Sequence, residues 1–167
     1  MIDMKYRRLD KEELNALEKE FIQFLSAHSI PAEDWEKMKS KTPDEAEQWL
    51  DKFSDFVFEK TLTDVDFMEL RQPHTIQIVQ VNTSPFLMRG IRVIGNQHIN
   101  FLDQSSPKTW QKILQEHGGK LQTFQATKKP EKSPNEEKFK LMNAGYLILK
   151  DPRLFYTLEE LQTDEPT

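Results

Sequence analysis

Asp64-Val65-Asp66 and His117-Gly118-Gly119 are the runs whose residue types and spacing could do chemistry. On a strand, alternation turns carboxylates two positions apart to one face, where they could hold a divalent cation, and His74 could extend such a site. An exposed edge strand carries the same pattern with no metal at all. A His-Gly-Gly run could line an oxyanion pocket, but that chemistry needs a G-x-S-x-G elbow, and the chain has none. The glycines have a sufficient role in ending a helix. His28 and His117 both fall where a helix is expected to finish, and imidazoles there favour the negative end of its dipole. With only 5 glycines there is no P-loop or G-x-G-x-x-G, and neither H-E-x-x-H nor an EF-hand loop occurs. The absence of cysteine excludes thiol nucleophiles, disulfides, zinc–thiolate sites and iron–sulfur clusters. No catalytic set, metal site or cofactor is assigned, and the sequence leans away from an enzyme.

Charge is unevenly spread over a net −5. Residues 1–70 carry 10 basic and 18 acidic side chains, residues 71–150 carry 12 and 5, and residues 151–167 carry 1 and 5. Acidic ends therefore flank a basic middle. Either these parts neutralise one another, or the middle is offered to an acidic protein or a nucleic acid. Between Lys120 and Lys140, the lysines at 120, 128, 129 and 132 stand with Phe124 and Phe139, the mixture that single-stranded nucleic acids use. Every cation there is lysine and not the arginine that stacks and forks, and Glu131, Glu136 and Glu137 dilute the field.

These residues must be positioned by two kinds of element. Asp10 and Glu13 form a capping box with Leu9 and Leu14 as its staple, opening an amphipathic helix to about His28. Pro31 opens a short helix containing Trp35 and Met38. Thr42-Pro43-Asp44-Glu45 starts a third, with Ala46, Trp49, Leu50, Phe53, Phe56 and Val57 as a core stripe. From residue 63 the period changes to that of strands. Thr75–Val81 and Phe86–Ile94 form a hairpin across Asn82-Thr83-Ser84-Pro85, pairing Val79 with Met88 and Ile76 with Ile91. Apolar parity slips near Ile78 and Gly90, which suggests opposed bulges or strong twist. A Gly95-Asn96-Gln97 turn then pairs Val93 with Ile99 and Ile91 with Phe101. That register places His74 on the core side and His98 on the other face, pointing apart. The second face carries Thr75, Arg92, Asn100 and His98 with Arg89 nearby, and Arg89, Arg92, His98 and Asn100 are the candidate interaction face.

Farther along, Ser106-Pro107 opens a helix with Trp110, Ile113 and Leu114, closed by Gly118-Gly119. Leu121–Ala126 reads as a strand and Thr127–Asn135 as a charged loop. Ser133 and Glu136 box a helix that stops at Gly145. Tyr146–Lys150 reads as a buried strand, Thr157 starts a last helical turn, and Asp164–Thr167 is a frayed tail.

Met4–Leu9, the run KEELNALEKEF at residues 11–21 and WLDKFSDFVFEK at residues 49–60 resemble a family of small cytoplasmic Bacteroidetes proteins, a domain of unknown function. The likeness is clearest over residues 1–100. It implies a bacterial cytoplasmic protein and carries no active residues to transfer; with Met4 as start, Met1–Asp3 is an alternative start or an artificial extension. No apolar run approaches the roughly 18 residues of a membrane span, and the N-terminus lacks a signal peptide's apolar stretch. The expectation is one α+β domain over 1–167. It comprises a helical part (1–61) packed on a mostly antiparallel meander (62–102), then a mixed part with short helices (103–167). The function expected is a non-catalytic module that binds a protein or itself, with no membrane association. The alternatives are an RNA-associated factor using Lys120, Lys128, Lys129 and Lys132, and an enzyme around Asp64, Asp66 and His74.

Overall fold

The structure, a computed structural model, describes residues 4–162, so the tail expected at Asp164–Thr167 lies outside the described residues. The chain forms two compact units, Met1–Asp64 and Val65–Thr167. It is α+β, with helices in both units and an antiparallel sheet in the second.

In the first unit the expected capping box forms. The Asp10 carboxylate accepts from the Glu13 amide at 2.8 Å, and Glu13 accepts from the Asp10 amide at 3.0 Å. The single helix expected to His28 is instead two, α1 (Lys11–Ala16) and α2 (Glu18–Ala27), separated at Leu17 with φ −107° and ψ 21°. Beyond that break, Phe21 and Phe24 meet Phe53 with ring centroids 4.9 and 5.3 Å apart. Trp35 of α3 (Ala32–Lys41) meets Phe21 edge-on at 5.0 Å. Phe53 belongs to α4 (Pro43–Thr63) and is fully buried, a contribution of roughly 2–3 kcal/mol. Phe56 of the expected core stripe is 49% exposed. Pro43 starts α4 as expected, but Thr42 forms no cap. One residue joins the two helices, and its hydroxyl bonds back to the Met38 carbonyl, serving the end of α3.

The second unit is a five-stranded sheet in the order β4-β3-β2-β1-β5, with every pair antiparallel. Its strands are β1 (Phe67–Gln72), β2 (Thr75–Gln80), β3 (Phe86–Ile94), β4 (Lys120–Lys128) and β5 (Leu147–Leu149). The β2–β3 register is the expected one, Val79 opposite Met88 and Ile76 opposite Ile91. No bulge interrupts it. The parity slip has another cause: the sheet is covered on both faces. Ile76, Ile78 and Ile91 join Trp110, Phe155 and Leu158 on one side. Those helical residues come from α5 (Pro107–His117) and α7 (Arg153–Gln162). Met68, Val79, Val81 and Phe86 pack with Leu141, Met142 and Tyr146 on the other, under α6 (Pro134–Asn143). Successive residues such as Ile78 and Val79 are therefore both buried, and the apolar pattern changes face without changing register.

The expected Gly95-Asn96-Gln97 hairpin is replaced by a loop. β4 takes the place beside β3, pairing Val93 with Leu121 and Ile91 with Thr123. Residues 98–101 run past the β1–β2 turn, where the Phe101 amide donates to the Pro73 carbonyl at 2.8 Å. Ile99 and Phe101 are buried as expected, but against α5. The run 146–150 forms a three-residue strand on the sheet's edge and is not buried: Leu147 is 73% exposed and Ile148 44%. α7 also begins earlier than the expected turn at Thr157, at Arg153.

Candidate functional site

The loop that replaces the hairpin builds the most chemically suggestive place on the chain. Asn96 is buried, and its side chain works in both directions. Its amide nitrogen donates to the Gly118 carbonyl at 2.6 Å, and its oxygen accepts from the His98 and Ile99 amides at 2.7 and 3.2 Å. The loop is thereby fastened to the end of α5, where Gly118 has φ +81°, a conformation that costs glycine nothing. As a result the His98 and His117 rings stack, with centroids 3.8 Å apart and planes 22° apart. His74, whose Nδ1 lies 3.1 Å from the Ile99 carbonyl, lines the same cleft of about 580 Å³. The expectation that His74 and His98 point apart is corrected for the reason already given: residues 98–101 are a loop and not a fourth strand. Near-parallel rings direct their in-plane lone pairs side by side and not at one point. Among the described residues no group of three or more His, Asp or Glu side chains could hold a metal ion.

The other expected site residues are dispersed. Arg89 is buried on the α7 side of the sheet, its guanidinium 4.1 Å from the Phe155 ring centre and 3.2 Å from Glu159. Arg92 faces the opposite side, opposite Thr75, and stacks over Phe124 at 4.4 Å. A Cβ on Gly90 would come within 2.2 Å of the Phe124 ring, so the ring rests on bare backbone. Asn100 folds its own loop, its Oδ1 accepting from the Leu102 amide at 2.9 Å. Arg89, Arg92, His98 and Asn100 therefore do not share one face. Of the lysines, Lys120 and Lys128 stand at the two ends of β4, about 26 Å apart at strand rise, and Lys128 is ion-paired with Glu137. Lys129 and Lys132 are exposed on the loop that follows. Asp64 caps the end of α4, and the six residues of β1 separate Asp66 from His74 by about 20 Å.

Sequence reasoning missed three places. One is the Asn96 staple, signalled only by an Asn in a turn. Another is Glu137, buried on α6. The last is the open edge at β5, where a short apolar run closed by Lys150-Asp151-Pro152 was equally readable as an edge.

A family model described as a family of unknown function, DUF6495, matches residues 4–163. The chain belongs to that family. No curated protein and no solved structure matches it. Membership agrees with the resemblance carried by Met4–Leu9 and residues 11–21 and 49–60, extends it from about the first 100 residues to nearly the whole chain, and brings no activity with it. Among the described residues, no helix is long and apolar enough to cross a membrane.

Proposed function

We propose that the protein is a non-catalytic interaction module that takes an extended segment of a protein partner onto the open edge of its sheet at β5. The observation that supports this is the character of that edge. Leu147 and Ile148 are 73% and 44% exposed and point to opposite faces, with Tyr156 of α7 48% exposed. A terminal strand offers its outer row of amides and carbonyls to another strand, and side chains on alternate sides select the sequence. The edge at β4 is of another kind, with a lysine at each end and Gln122, Thr123, Gln125 and Thr127 between them, which discourages pairing. Three residues of β5 bury too little for a stable symmetric dimer, which favours a peptide over a second copy. Exposed Lys150 suits a segment with alternating apolar residues and an acidic flank, while the neighbouring Arg153 is ion-paired with Asp151.

The test places a photo-crosslinking amino acid at Leu147, with Gln125 on β4 as the control position. A mapped partner peptide of the stated pattern, captured at Leu147 alone and lost on Ile148→Lys, is the expected result. Equal capture at both edges, or crosslinks only to a second copy of the chain, would overturn it.

The RNA-associated reading rests on Lys129 and Lys132, since Lys128 is engaged with Glu137. RNA binding that falls steeply with salt and is lost on changing both to Gln would favour it.

A further inference from the structure

α6 leaves a groove of about 190 Å³ beside β4. It exists because the cross-strand row Val79–Met88–Ala126 ends on a methyl group, while Leu141 of α6 stands above it. The walls are apolar but the ends are not. At one end Tyr146 donates its hydroxyl hydrogen to Gln77. At the other, Glu137 pairs with Lys128.

The two partners of that pair are unequal. The Glu137 side chain is 4% exposed and the Lys128 side chain 58%. The carboxylate has lost its water in folding, whereas the ammonium reaches it from solvent on a flexible stem. Bonding to Glu137 holds the Lys128 ammonium above its usual range. A dehydrated carboxylate at the end of an apolar groove is a receptor for an ammonium attached to an apolar body. Such a ligand need not strip the carboxylate of water, which is one of the two dehydration costs of forming a buried ion pair. An apolar cavity of about 150 Å³ holds a benzene-sized ring, so this groove has room for one ring or a short alkyl chain.

We propose that this groove binds a small primary amine on a single-ring or short alkyl body, its ammonium replacing that of Lys128 on Glu137. The site is independent of the β5 edge. Lys128 is then an internal competitor, and removing it improves binding. A purely structural clamp predicts no such gain.

The test is calorimetry on the full chain with 2-phenylethylamine, the neutral 2-phenylethanol and the anionic 3-phenylpropanoate. The amine should bind one to one and the other two should not. Lys128→Ala should tighten the amine about tenfold, the size of one charge-assisted hydrogen bond released from competition. Ala126→Leu fills the groove from an exposed position and should abolish binding with the fold intact. Glu137→Gln should abolish it too; should that variant misfold, the other two substitutions decide. Equal binding of all three probes, amine binding that survives Ala126→Leu, or no gain in Lys128→Ala would overturn the proposal. Failure of the amine to bind both the parent and Lys128→Ala would do the same.

Discussion

Asn96→Ala tests whether one buried side chain holds the histidine cleft together. Three hydrogen bonds are lost, those to Gly118, His98 and Ile99. At about 1 kcal/mol each the cost is about 3 kcal/mol, or a fall in midpoint of roughly 10–20 °C for a unit of about 100 residues. The assay is urea unfolding followed by Trp110, which is 1% exposed in the second unit. Trp35 and Trp49 are replaced by Phe so that the first unit is silent. Asn96→Asp separates the two halves of the contact. It keeps the acceptor for His98 and Ile99 but sets a carboxylate against the Gly118 carbonyl 2.6 Å away. Two facing oxygens repel, so the Asp variant should fall behind the parent at pH 7 although both amide donors are kept. A cost below about 1 kcal/mol for the Ala variant, or an Asp variant as stable as the parent at pH 7, would refute the staple.

Arg7 bonds to Glu13 and, with the Asp10 amide, lowers the Glu13 carboxyl from 4.5 to about 2. A depressed carboxyl stabilises above its unfolded value and loses that contribution as pH falls through the folded one. Unfolding measured from pH 5 to 2 should show the first unit weakening over that window, by at most about 1 kcal/mol for so exposed a pair, and Glu13→Gln should flatten the response. Gly90→Ala should displace the Phe124 ring and cost about 1–3 kcal/mol by overpacking. Combining it with Phe124→Ala should be markedly less than additive in denaturation, since both changes act on one ring. Arg89→Met keeps the apolar contact with Phe155 and removes a buried Nε that has no hydrogen-bond partner. Because Glu159 is 55% exposed and regains water, the loss is chiefly the hydrogen bond to the Phe155 carbonyl, and thermal unfolding should move by about 1 kcal/mol, whereas Arg89→Ala should cost more by lost packing.

What the sequence made legible was whatever depends on near neighbours. Asp10 with Glu13 and Ser133 with Glu136 cap their helices within four residues, and both boxes form. The β2–β3 hairpin is also local, since a four-residue loop and apolar alternation leave one satisfactory register. Ile99 and Phe101 show where this stops. Their burial was readable because it follows from residue type, but hydrogen-bond partners depend on what else competes for the edge of β3. A nine-residue strand from residue 120 onward competes better than five residues beyond a glycine turn. The candidate face failed to assemble for the same reason. Arg89 and Arg92 are three positions apart and so lie on opposite sides of an unbulged strand. The parity slip near Ile78 and Gly90 needs no bulge once both sides of the sheet are buried.

The two edges of the sheet show which surface the chain leaves open. A strand edge with no partner is a hazard that a soluble protein guards against, most simply with lysine. β4 is guarded, and one of its lysines, Lys128, also closes the amine groove. β5 could be guarded as easily, because Leu147 and Ile148 are too exposed to contribute much to the core. A lysine at Ile148, 44% exposed already, should cost the fold no more than about 1 kcal/mol of lost burial. An apolar edge that is dispensable for stability and costly for solubility has a straightforward explanation in a partner that covers it. If Ile148→Lys instead cost several kcal/mol, β5 would be part of the core and the edge would have no partner to explain.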